Sequence, residues 1–332
     1  MYESYFGFSA KPFQLKPDPH FFFGSKGHKR AMAYLDYGLS QGEGFIVITG
    51  EIGAGKTTLM RNLLRKVESE RIVAAQIVNT HVDSDDILRL VASAFGLACE
   101  GVGKAVLLTR LEHFLRQCDQ QGRRALLVVD EAQNLTPRAV EELRMLSNFQ
   151  TADRPLLQTF LLGQPEFRRI LLGPNMQQLL QRVTATYHLG PMDAAETQSY
   201  IEHRLHKVGW RGDPSLGEDA FAAIHAYAGG IPRKINTLCD RLFLMGYLEE
   251  IHAFTSSEVK QVIADIQQEF SLPVAPMEIP RASNVVPLVP AEPPMLKTES
   301  VDDRISGMER SISMALTAVE RLLSSLASKN RS

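Results

Sequence analysis

The chain has 332 residues, 44% hydrophobic and 22% charged, the make-up of an ordinary globular protein with room for one or two domains. With Lys+Arg 36 against Asp+Glu 38 the net charge is −2, which gives no overall drive towards nucleic acid but leaves room for a local basic face. Three widely spaced cysteines lack metal-ligand spacing, and neither a secretory leader nor a run of about 18 apolar residues is present, so the expectation is a soluble cytoplasmic protein with reduced thiols, peripheral at a membrane only through a partner.

Residues 1–40 carry Pro12-Phe13, Pro17-Asp18-Pro19 and Phe21-Phe22-Phe23. The prolines prevent one continuous helix, and the aromatics are too many to leave in water. The segment is expected to pack on the domain and over the glycine-rich loop that follows, most of the aromatics being plain core, with a helix over 28–39. Phe45 to Thr49 reads as a short buried strand. It runs into Gly50-Glu51-Ile52-Gly53-Ala54-Gly55-Lys56-Thr57-Thr58, which fits the phosphate-loop pattern G-x-x-x-x-G-K-[ST]. The glycines let backbone N–H groups close on a triphosphate, and the helix that follows aims its positive end at it. Lys56 supplies a point charge to the β- and γ-phosphates, and Thr57 a hydroxyl to Mg²⁺.

A second strand is expected at 72–78. A helix capped by Asp83 or Ser84 follows, then another from 104 to 121 stopped by Gly122. Ala125 to Val129 is a third strand, and strand–helix alternation implies a parallel sheet covered on both faces. Asp130 and Glu131 end that strand at the sheet's carboxyl edge, where such folds bind ligands. Asp130 is the candidate Mg²⁺ ligand and Glu131 the candidate base for an attacking water; alternation along a strand separates their jobs. Thr136-Pro137 opens a helix. A fourth strand, 157–162, leads to Gln164, placed to orient water or touch the γ-phosphate. A fifth spans 184–189, where His188 reads as a core or edge histidine. Arg182, just before it, is either a finger into a neighbouring subunit's site or a surface residue.

After Gly190-Pro191 the strand signal stops. Helices are expected near 193–208, 215–228, 232–248 and 256–268, with capping pairs Asp193/Glu196 and Thr255/Glu258. Arg233 falls in the first turn of the third, where a cation opposes the helix dipole, so an external phosphate is its expected partner. The reading is a core at 41–190, a helical lid at 191–270, a proline-rich linker at 271–300 and an amphipathic heptad helix at 301–328 that binds a protein partner or another copy.

The two phosphate-site motifs, the lid and Gly230-Ile231-Pro232-Arg233 together resemble an AAA+ ATPase. The opening Tyr2-Glu3-Ser4, the Pro12-to-Gly24 segment, Asp130 to Leu135 and Leu162 to Glu166 resemble the general secretion pathway protein A (ExeA) family over roughly residues 1–270, and especially secretion ATPases of PEP-CTERM/exosortase loci, which accompany exopolysaccharide genes. The resemblance implies a P-loop α/β fold using ATP and Mg²⁺. Gly50 to Thr57 is then Walker A, Asp130 and Glu131 Walker B, Gln164 sensor 1, Arg233 sensor 2 and Arg182 the finger. It also implies a homo-oligomer, as in a ring, associated with an envelope complex. That family usually continues into a membrane span and a peptidoglycan-binding part, which this sequence does not show. A DNA-associated AAA+ ATPase and a nucleotide-gated scaffold with little turnover are the rival functions.

Overall fold

In a computed structural model the protein is described over residues 1–67, 71–78, 80, 84–173 and 176–270. The Asp83 cap, the proline-rich linker and the heptad helix lie outside the described residues. Five strands form one parallel sheet: β1 (Phe45–Gly50), β2 (Ile72–Ile77), β3 (Arg124–Val129), β4 (Leu157–Gly163) and β5 (Val183–Leu189), in the order β2-β3-β4-β1-β5. β1 and β4 are buried at every position, as a parallel sheet covered on both faces requires.

The pleat deals alternate residues to two cores. Phe45 and Val47 face one side, with Leu127, Val129 and Leu161, and α4 (Ser84–Ala94), α5 (Lys104–Gln120) and α6 (Pro137–Leu146) cover them. Ile46 and Ile48 face the other, with Val128 and Phe160, under Leu35 and Leu39 of α2 (Lys26–Gln41) and Leu59 and Leu63 of α3 (Lys56–Val67). The order of strands puts a topological switch at β1, and the carboxyl ends of β1, β3 and β4 open on one edge. There β4 passes into α7 (Pro165–Leu171), and α8 (Gln177–Leu180) leads back into β5.

Beyond β5 come α9 (Ala194–Lys207), α10 (Glu218–Ala228), α11 (Pro232–Leu248) and α12 (Ser256–Phe270). Asp193 and Glu196 complete a capping box on α9. This part is not wholly helical. Ser215–Leu216 and Ala253–Phe254 form a two-residue parallel ladder, β6 and β7, and α10 starts at Glu218 instead of 215. Two residues are too few to show a period of 2, so the ladder leaves no pattern to read.

The N-terminal aromatics belong to this helical core. Tyr2 of α1 (Tyr2–Tyr5), Phe6, Phe8 and Phe13 surround Phe243 of α11 at ring separations of 5.4 to 6.1 Å. Phe21 and Phe23 also pack there, whereas Phe22 turns to the sheet. Buried Arg204 of α9 pins the segment by donating to the carbonyls of Pro12 (2.5 Å) and Gln14 (3.3 Å).

Gly230, just before α11, has φ +70°, and a Cβ there would meet the Met192 carbonyl at 2.0 Å. Backbone cannot retreat as a side chain can. Gly230→Ala is therefore expected to cost more than about 2 kcal/mol in chemical denaturation and to displace the start of α11.

Candidate active site

The loop between β1 and α3 wraps the end of the sheet. Gly53 (φ +82°) and Gly55 (φ +102°) hold left-handed turns, and a Cβ on them would lie 2.3 Å from Arg233 Cβ and 2.6 Å from His28 Nε2. A side chain would fill the cradle at either point. Ala54 is buried, whereas Glu51 and Ile52 stand exposed at the tip. Lys56 is only 6% exposed, and its Nζ donates to the Gly50 carbonyl (2.7 Å) and the Glu51 carbonyl (3.1 Å). Burial pushes its pKa down, against the upward pull of Glu131 and Asp130. Thr57 Oγ1 donates to Asp130 Oδ2 at 3.0 Å. Thr58 lines the same cleft.

β3 ends at Val129, so strand alternation does not govern the two acids. Instead Glu131 takes a left-handed conformation, φ 53°, uncommon for a residue with a Cβ. It is pinned from both sides. Its N–H donates to Asp130 Oδ1 (2.9 Å), and Thr80 Oγ1 donates to its carbonyl (2.8 Å). The turn sends Asp130 inward to Thr57, 2% exposed, and Glu131 outward to line the cleft. Burial pushes the Asp130 carboxyl up from its usual range, and the Thr57 hydroxyl partly offsets this. Glu131 Oε2 accepts from Gln133 Nε2 (2.6 Å) and Gln164 Nε2 (3.3 Å).

Arg233 reaches the same cleft from α11. Its backbone N–H donates to the Gly53 carbonyl (3.2 Å), and its side chain lines the opening. Among the described residues its guanidinium has no ion-pair partner, which suits it to an external anion. Arg182 is not brought here. Its carbonyl accepts from Phe45 N–H at the amino end of β1, and its guanidinium donates to Ser147 (2.6 Å) and Asn148 (2.5 Å). That is the opposite edge of the sheet from the loop, so any role for Arg182 at a phosphate lies in a neighbouring copy.

Residues 14–18, Phe22, Tyr200 and Asn236 complete the walls. His28 went unread in the sequence. Ser25 Oγ caps α2 by accepting the His28 N–H (3.2 Å) and also lies 2.7 Å from His28 Nδ1. Its Nε2 faces the phosphate loop at Ala54 and Gly55. Burial lowers its pKa. A lone histidine on a helix gives no sequence signal for this.

The donor set fits a magnesium nucleotide. Among the described residues no cluster of three His, Cys, Asp or Glu could hold a metal alone. Mg²⁺ is commonly held by one or two protein oxygens together with phosphate oxygens and waters, and Thr57 with Asp130 offers that pair beside the phosphate cradle.

Residues 39–171 match the family model described as an AAA domain. The fold is that of the AAA-type P-loop NTPases. Within that class it is a relative of General secretion pathway protein A of Aeromonas hydrophila, 36% identical over 260 residues, 78% of this chain and 47% of that protein. It therefore spans about half the length of that relative. Among solved structures, Cdc6p from Pyrobaculum aerophilum aligns at TM-score 0.60 with 15% identity, covering 79% of this chain and 74% of its own. Aeropyrum pernix ORC2, in ADPNP–ADP complexes, aligns at 0.57 with 16% identity, covering 80% and 75%. At such identities these likenesses concern the fold. No helix among the described residues is long and apolar enough to cross a membrane.

Proposed function

We propose that the protein binds ATP with Mg²⁺ and hydrolyses it, using the cleavage to move the helical lid. The observation that carries this reading is the meeting of Lys56, the Thr57–Asp130 pair, Glu131 and Arg233 at one cleft. Lys56 would exchange its two carbonyl partners for phosphate oxygens. Thr57 and Asp130 would hold Mg²⁺, which neutralises phosphate charge and fixes its geometry. Glu131 would take a proton from water, and Gln164 would orient that water beside it. Arg233 would draw the lid towards the γ-phosphate and let go after cleavage. Arg182 would act, if at all, on the next copy of an oligomer such as a ring.

The kinship with General secretion pathway protein A supports service in an envelope export system, which we place with exopolysaccharide or PEP-CTERM loci. The protein would work in the cytoplasm, peripheral to the inner membrane through its partners, one of them held by the 301–328 segment. A DNA-associated role is the second reading, favoured by fold likeness to an Aeropyrum pernix ORC1 protein solved in complex with DNA. Calorimetry with ATP and ADP, with and without Mg²⁺, together with phosphate release in the presence of vesicles or DNA, tests all of this. Lack of magnesium-dependent nucleotide affinity would sink the central reading.

Asp130 supplies a second check. Because its carboxyl is raised, the folded state holds more protons than the unfolded between the usual carboxylate value and the raised one. Nucleotide-free stability from this group thus falls as pH rises through that window. Asp130→Asn removes the buried charge. It is expected to stabilise the nucleotide-free protein at neutral pH by about 1 kcal/mol while abolishing the Mg²⁺ increment in melting temperature with ADP.

A further inference from the structure

We propose that Gln133 is a positioning residue that selects which oxygen of Glu131 receives the proton. The inference rests on the reading of Glu131 as general base. The Gln133 side chain bridges two elements: its Oε1 accepts the backbone N–H of Gln164 at 2.9 Å, and its Nε2 donates to Glu131 Oε2 at 2.6 Å. Its orientation is not ambiguous. A backbone N–H can only donate, so the end facing Gln164 is the oxygen and the end facing Glu131 is the amide nitrogen.

The turn that carries Gln133, Ala132–Asn134, is anchored by buried Ala132 and Leu135. Both donors on the carboxylate, from Gln133 and Gln164, address Oε2. Among the described residues Oε1 receives no hydrogen bond and is left for water. In the step, a water proton passes to Oε1, the water oxygen bonds to the γ-phosphorus, and the bond to the bridging oxygen breaks to give ADP and phosphate. The left-handed backbone of Glu131, fixed by Asp130 and Thr80, sets where the carboxylate starts, and Gln133 sets its rotation.

The test uses the full chain with Gln133→Met, similar in length but without the amide, and Gln133→Glu, which keeps the acceptor for Gln164 and replaces the donor with a repelling carboxylate. In Gln133→Met, kcat is expected to fall about 10- to 100-fold with ATP affinity changed less than about twofold. In Gln133→Glu kcat falls at least as far, because a repelling carboxylate stands where the donor was. Adding Gln133→Met to Glu131→Gln slows nothing further, since the first acts only through the second. Wild-type rates in both variants, a loss of ATP affinity matching the loss of kcat, or an additive loss in the pair would overturn the role of Gln133 alone. Absence of turnover in the wild-type protein would overturn the hydrolysis reading with it.

Discussion

Glu131→Gln is expected to lower the rate of ATP cleavage by about 10²–10⁴-fold while leaving nucleotide affinity within a few-fold of wild type. The substitution is nearly isosteric, and a glutamine carbonyl can still accept from Gln133 and Gln164. The phosphate-gripping groups, Lys56 and the glycine loop, keep their places, because none of their hydrogen bonds runs through the Glu131 side chain. What is lost is an oxygen basic enough to take a proton. Paired calorimetry and single-turnover phosphate release separate the two effects, and undiminished turnover would remove Glu131 from the chemistry.

Arg204→Ala should damage the fold instead, from another wall of the same cleft. Arg204 is 6% exposed and lies over the Phe21 ring at 4.7 Å. It donates to the carbonyls of Pro12 and Gln14 and to the Tyr200 hydroxyl. Truncation leaves these acceptors short of a donor and strips the ring of its cation, for about 2–4 kcal/mol in a urea or guanidinium titration. Because residues 14–18 line the cleft, ATP affinity should fall with stability. Arg204→Lys should rescue little, since one ammonium cannot span the acceptors that a planar fork reaches. Wild-type stability in Arg204→Ala would mean that the aromatics alone hold the segment.

The P-loop fold with helices on both faces of a parallel sheet was legible because apolar runs such as Phe45 to Thr49 and Ala125 to Val129 alternate with helical periods, and because glycine and lysine spacing carries its own chemistry. Four features were not. The β6–β7 ladder is too short to have a period. The Glu131 turn is imposed by Thr80 and Asp130, partners that lie in other places along the chain or across a single peptide. His28 and Gln133 gain meaning only from what the folded chain sets beside them: Ser25 and Gly55 for one, Gln164 for the other. Local spacing finds groups that act through their own backbone; it does not find those that act on a distant neighbour.

Phe21 and Phe23 side with the helices and Phe22 with the sheet, so the chain crosses between the two bodies there as well as near Met192. A body hung from one point can tumble in any direction; hung from two, it swings chiefly about the line that joins them. Any swing of the helical part would then turn about a defined axis, and both crossings, Phe21 to Phe23 and Met192, form part of the wall against which the nucleotide would rest.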